Sequence, residues 1–514
     1  MKKIIKNKIF YILLFITIGY FLIQLFLSRD LAMNSDEGTH AISGLFYKDF
    51  ICNFNSIHSL NDVIQFIINY TVKYSKVTLY YPPLYHLLLA VVFLIQEDII
   101  VARILNILLT ILTSFVIYKL SYEIFNDKKI SVLSFIFFLS FSIIFFYANK
   151  VMIDILQILT FSCSLWYYFK IKKTKVNNLR FKNLIILSVL VAISLLTKFY
   201  SIFIPIIILL DSFFYDKKLF KKIFIALVIS GILISPYAFF YYKYQMYKLV
   251  IGKAMSTWET SSVFFDVFRN FGMFLGLYVA FSLIYFFYKN RENYIFFVWF
   301  FIPLIVLLCL KNSDPRFAFI LMPIYAMSCG FTFTKFEKMV KPKWKKVLIL
   351  LISCLILLQI THNVFLNSQG PNYPVDEIMK PIKNDGNVLI LTEDPVYSSV
   401  YMFYGRVNKV PGNIIRSCVF FTSNLTKEML QEWGVKYVID QKNVLTESSV
   451  ASLNLKIILE KNINEDSLKL FEFQEDINKT DCNFVCILLG KVCKGMQFGD
   501  IISLINKNIY TKID

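Results

Sequence analysis

Charge is what this chain has least of. Only 17% of its 514 residues are Asp, Glu, Lys or Arg, while 57% are hydrophobic and mean hydropathy is +0.59. A water-soluble protein of this length could not cover that much apolar surface, so a soluble globular fold is excluded. Acidic residues are scarcer than basic ones, 35 against 54. The net charge of +19 does not point to nucleic acid. The basic residues stand in short clusters between apolar runs, as the cytoplasmic loops of membrane proteins do. Membrane lipid is the expected electrostatic partner, and no nucleic acid. The polar C-terminal region lacks a nucleotide-binding glycine pattern and a nucleophile motif. No internal repeat is present, which speaks against a transporter built from inverted repeats. The nine cysteines form no zinc spacing. Cys163, Cys309, Cys329 and Cys354 lie in apolar runs and read as small core residues.

What the chain does have is a series of apolar runs near the roughly 20 residues that span a bilayer. The first, IFYILLFITIGYFLIQLFLS, lacks a small-residue cleavage site and reads as a signal anchor. Spans are expected over 9–28, 99–124, 131–149, 152–170, 184–197, 199–215, 223–242, 263–288, 294–310, 316–334 and 347–366. Basic clusters at 1–8, 126–129, 170–182, 216–222, 289–292 and 335–346 all fall in the cytoplasm if the chain alternates over these spans. The N-terminus is then cytoplasmic and the tail extracytoplasmic. Two choices make this work. The segment PLYHLLLAVVFLI (83–95) is too short to span and is taken as re-entrant or interfacial, and 184–215 is split into a hairpin at Thr197-Lys198.

The tail differs in composition. NVLILTED, VKYVID, LKIILEK, KLFEFQ and NFVCILLGKV read as strands and TKEMLQEWG as a helix closed by Gly434. The expected architecture is a polytopic α-helical membrane protein with about 11 transmembrane helices and a small C-terminal extracytoplasmic α/β domain. Residues 1–366 form the membrane domain, with a first outer loop over 29–98 that carries interfacial helices. Residues 367–514 form the outer domain.

The stretch LAMNSDEGTHAI places Asp36 and Glu37 just beyond the first span. The same topology puts Arg103, Asp154, Lys198, Asp314 and Arg316 on that outer side. Ionisable residues near the membrane are costly and are functional candidates by default. A carboxylate can take a proton from a hydroxyl, and Lys and Arg can hold a phosphate as its charge develops. Each residue also has a plainer role. Asp36 and Glu37 could start a solvated loop, and Asp154 could favour a helix N-terminus. Lys198 and Arg103 could reach for headgroups, and Asp314 and Arg316 could pair locally. His40 and His86 read as interfacial, with metal ligation the lesser alternative. The outer loop 241–258, with Tyr241, Tyr242 and Trp258, reads as an interfacial belt.

The order YYPPLYHLLLA, VARILNILLT, MID, LLTKF and DPRF leading into FILMPIYA, after the acidic pair, resembles the membrane GT-C glycosyltransferases over residues 9–334. The branch is that of protein O-mannosyltransferases and lipid A aminoarabinose transferases. The resemblance implies an inverting transfer of a sugar from a polyprenyl-phosphate donor to a protein, lipid or glycan acceptor at the outer face. It implies Asp36, with Glu37 beside it, as the catalytic acid pair and Asp154 as the intramembrane acid. Lys198, Arg316 and Arg103 are then on the lipid-phosphate side. Thr39 stands where aminoarabinose transferases have an Arg, and Tyr80 and Tyr81 where they have an acid and a Lys, so the contacts to sugar and phosphate differ. Some members use a divalent metal, for which no ligand set stands out here. The alternatives are a transporter or flippase of lipid-linked sugars and a non-catalytic glycan-binding envelope protein.

Overall fold

The computed structural model describes residues 2–31, 33–73, 81–174, 179–243, 271–309, 315–368, 375–382, 387–392, 398–408, 414–418, 425–432, 435–441, 445–463 and 466–474. The helices in chain order are α1 (Lys2–Asp30), α2 (Ser35–Cys52), α3 (Leu60–Lys73), α4 (Leu84–Ile95), α5 (Ile99–Phe125), α6 (Lys128–Ser140), α7 (Ser142–Ala148) and α8 (Ile153–Lys172). They continue as α9 (Phe181–Leu195), α10 (Phe203–Tyr215), α11 (Lys217–Lys243), α12 (Gly276–Lys289), α13 (Tyr294–Cys309), α14 (Met322–Met339) and α15 (Pro342–Ser368). Each expected span contains a helix where the residues are described. Among the described residues, five helices are long and apolar enough to cross a membrane: Ile9–Arg29, Ile99–Phe125, Lys217–Phe239, Phe319–Met339 and Pro342–Leu366. The pair α6 and α7, bent by 65°, makes a sixth if it is one span. The other expected spans are shorter or carry charge; α9 and α10 are short because the chain turns between them at Thr197-Lys198. Phe15, Phe26, Leu350, Leu357 and Phe365 stand exposed on α1 and α15, a surface that suits lipid tails and not water. The protein is a multi-pass membrane protein.

The chain divides into two compact units. Met1–Arg29, Tyr80–Tyr85 and Arg103–Gln369 make the first; Asp30–Leu79, His86–Ala102 and Gly370–Asp514 make the second. Most of the segment expected as the first outer loop (29–98) thus shares a unit with the C-terminal region, while Tyr80–Tyr85 belong to the first.

In the first unit, Trp299, Phe161, Phe286, Phe296 and Phe331 form the centre of a buried aromatic core. Trp299 Nε1 donates to Ile320 O at 3.1 Å, so the indole is buried with its polar atom satisfied. The break between α6 and α7 frees backbone groups that lipid cannot satisfy. A side-chain network meets this need: Asn363 Nδ2 donates to Ser140 O at 3.3 Å, Ser142 Oγ to Asn363 Oδ1 at 2.6 Å and Gln359 Nε2 to Ser142 Oγ at 2.8 Å. Cys329 is buried as expected, but Cys354 is exposed on α15, because it faces outward from the bundle.

In the second unit a five-stranded sheet has the order β2-β1-β3-β5-β4. Its strands are β1 (Asn387–Thr392), β2 (Ile414–Cys418), β3 (Val435–Gln441), β4 (Leu455–Ile463) and β5 (Asp466–Phe473). β1 pairs in parallel with β2 and β3, and β5 lies antiparallel between β3 and β4. Four of the five expected strands are present; NFVCILLGKV and Gly434 lie outside the described residues. The sequence reading missed β2, the short helix α16 (Val375–Met379) and the helix α17 (Ser398–Val407). The helix expected in TKEMLQEWG is α18 (Lys427–Glu432). α2 packs on α17, where Arg406 Nη2 donates to both Asp49 carboxylate oxygens at 3.1 and 3.3 Å. Lys48 pairs with Glu97 beside it.

Candidate functional site

The first unit brings two expected residues into contact. Asp154 sits in the first turn of α8 and Lys198 follows α9; their side chains form a buried ion pair. This pair shows that the start of α8 and the α9–α10 turn lie at one end of the bundle. Lys172, at the far end of α8, pairs at 2.8 Å with Asp211, at the far end of α10. The two pairs set the start of α8 beside the α9–α10 turn and its end beside the end of α10. Arg316 lies half-buried in a 3-10 turn, Pro315–Leu321, that packs on α8. Asp314 lies outside the described residues.

Arg103 is buried, and its Nη1 donates to Ser28 O at 2.9 Å. This contact ties α5 to the last turn of α1, where carbonyls lack helical partners. Asn106, one turn further along α5, accepts from Tyr85 Oη at 3.0 Å and donates to Met152 O at 3.0 Å. It also bonds the carbonyl of Lys150. Asn106 thereby holds the extended residues that deliver Asp154 to α8. The sequence reading missed Asn106; its one available signal was a second polar residue three positions after Arg103 in an apolar run.

The acidic pair of the second unit is divided between two tasks. Asn34 Oδ1 accepts from Glu37 N at 2.8 Å, and Glu37 Oε2 accepts from Asn34 N at 3.1 Å. This capping box begins α2, and Glu37 is wholly buried. Asp36, beside it in the first turn, is half-exposed, where the positive end of the helix favours a carboxylate.

His40 and His86, read as interfacial, are packed inside the protein. Both are buried, and His40 Nδ1 lies 3.0 Å from His86 Nε2 in a hydrogen bond. Packing of α2 on α4 carries them inward. Gly44 permits the approach, since a Cβ there would stand 2.7 Å from Leu89 Cβ and 2.9 Å from Phe93 Cε2. Among the described residues no group of three or more His, Cys, Asp and Glu could hold a metal, so no step is derived through one. Tyr241 and Tyr242 end α11, whereas Trp258 lies outside the described residues. A cavity of 840 Å³ opens at the opposite end of the first unit, among Glu123, Asp127, Lys172, Asp211 and Lys338. Three of its lysines pair with its own acids, Lys172 with Asp211, Lys173 with Glu123 and Lys338 with Asp127, and no candidate residue lines it.

Residues 81–242 match the family described as dolichyl-phosphate-mannose-protein mannosyltransferase. Arg103, Asp154 and Lys198 fall inside that segment. ArnT from Cupriavidus metallidurans, in its apo state, aligns with a TM-score of 0.59 at 11% identity, over 90% of this chain and 97% of its own. The apo oligosaccharyltransferase of Archaeoglobus fulgidus aligns with a TM-score of 0.55 at 12% identity, over 91% and 75%. The same enzyme tethered to an acceptor peptide aligns with a TM-score of 0.52 at 12% identity, over 84% and 69%. The fold is that of the GT-C glycosyltransferases. The resemblance read in the sequence motifs therefore holds at the level of fold, and the family match covers the segment that carries three of the six candidate residues. No curated protein sequence matches the chain.

Proposed function

We propose that this GT-C protein transfers a sugar from a polyprenyl-phosphate donor to a hydroxyl-bearing acceptor at the outer face of the membrane. The family match over residues 81–242 carries this reading, and the GT-C fold supports it. The N-terminus is then cytoplasmic and the C-terminal domain extracytoplasmic. In the reaction the acceptor oxygen attacks the anomeric carbon, the bond from that carbon to the phosphate oxygen breaks, and configuration inverts. Asp36 takes the acceptor proton. Its half-exposed position supports this role, while the capping bonds of Glu37 suit it to hold the turn. Lys198 and Arg316 stabilise the leaving phosphate, with Asp154 fixing the Lys198 ammonium. Arg103 supports the same end of the bundle through the first helix.

The test compares wild type with Asp36→Asn in purified membranes, at matched expression. Both receive a mixed pool of radiolabelled polyprenyl-phosphate sugars, and sugar leaving the lipid is counted. Wild-type transfer with a loss of about 10²-fold in the variant supports the reading. Equal transfer by both removes Asp36 from the chemistry, and no release by wild type from any donor, with acceptor supplied, overturns the function.

A further inference from the structure

We infer that the buried His40–His86 pair is a positioning pair that sets where the Asp36 carboxylate stands. The inference rests on the reading of Asp36 as the base. Positions 36, 40, 44 and 47 of α2 follow one another at helical spacing and share a face. The last three of them meet α4. His40 bonds His86 at 3.0 Å, Gly44 abuts Leu89 and Phe93, and the Tyr47 ring lies parallel to that of His86 at 6.2 Å. Asp36 thus stands at the N-terminal end of the α2–α4 seam, one turn beyond its polar contact. The approach of Gly44 to Leu89 and Phe93 is carbon against carbon and would permit small slides. A hydrogen bond between two ring nitrogens does not, because its length and angle are narrowly set.

The far end of α2 is held separately. Asp49 binds Arg406 of α17, and Lys48 binds Glu97. With that end anchored, loss of the histidine bond shifts the end that carries Asp36. Misplacement of a reacting group by about 1 Å costs on the order of 10²-fold in rate.

The test uses the full-length purified protein and the polyprenyl-phosphate sugar pool that supports wild-type transfer. His40→Phe and His86→Phe keep a ring but remove the bond. His40→Asn and His86→Gln place a nitrogen near the lost Nδ1 and Nε2. The Phe variants are expected to lower kcat roughly 10-fold or more, approaching the cost of misplacement, with KM for the donor unchanged. The Asn and Gln variants are expected to recover part of the loss. In an Asp36→Asn background, His40→Phe is expected to change residual transfer no further, since the pair acts through Asp36. Thermal melting identifies any variant that fails to fold, and the Asn and Gln variants then decide. Wild-type rates in the Phe variants overturn the inference while the proposed function stands. So does an equal proportional loss with and without Asp36. Absence of transfer by wild type removes the function and this inference with it.

Discussion

The two units each place an aspartate in the first turn of a helix and treat it differently. Asp154 is buried and neutralised by Lys198. Asp36 is half-exposed, with its neighbour Glu37 engaged as the cap. A buried carboxylate paired with an ammonium is costly to separate and poorly placed to collect a proton from an incoming molecule. Asp36 stands in the first turn of α2, where the positive end of the helix favours a carboxylate, and it keeps partial exposure. The same residue type in the same helical position is therefore buried in an ion pair in one unit and partly exposed in the other.

The comparison can be broken most forcefully in the first unit. Asp154→Ala strands the buried Lys198 ammonium and is expected to destabilise the protein by about 3–5 kcal/mol, read as a fall in melting temperature in detergent. Asp36→Asn is expected to leave the melting temperature near that of wild type while removing about 10²-fold of the transfer rate. If both aspartates behaved alike in melting, the contrast between a buried ion-paired carboxylate and a partly exposed one would be lost.

A smaller effect sharpens the second half. Gly44→Ala forces α2 away from Leu89 and Phe93, and overpacking of this kind costs about 1–3 kcal/mol. It is expected to lower transfer as well as melting temperature, because α2 carries Asp36. Asn34→Ala removes the cap of the same helix, at about 1 kcal/mol, and is expected to affect melting more than donor KM.

pH acts on the seam between α2 and α4. Burial, with His40 beside it, holds the His86 imidazole well below its ordinary value of 6.5. Below about 6.5 the unfolded chain takes up a proton that folded His86 refuses, so stability falls on acidification and is fully present above that pH. Melting followed downward from about pH 7.5, above the ordinary histidine range, is expected to show this loss, and His86→Gln is expected to reduce it.

Much of the architecture was legible in the residues themselves. Apolar run length marks helices because every backbone group must be satisfied within the bilayer. Lysine clusters mark the shared ends of those helices, and the Lys172–Asp211 and Asp154–Lys198 pairs agree with that assignment. β1, β3, β4 and β5 were visible as apolar runs in a polar tail. β2, with the sequence IIRSC, and α17 were not, since neither has a strong period of its own.

The sequence by itself determined the membrane class, the helical segments and the residue types of the candidate site. Those features depend on composition, run length and spacing, which are local. Only the tertiary structure decided which partners those residues take. Asp154 meets Lys198 across 44 residues and His40 meets His86 across 46. Asp49 meets Arg406 across 357. It also separated Asp36 from Glu37, adjacent residues of the same charge. One residue along a helix turns a side chain by about 100°, and the packing around α2 determines which of the two is fully buried and which keeps partial exposure.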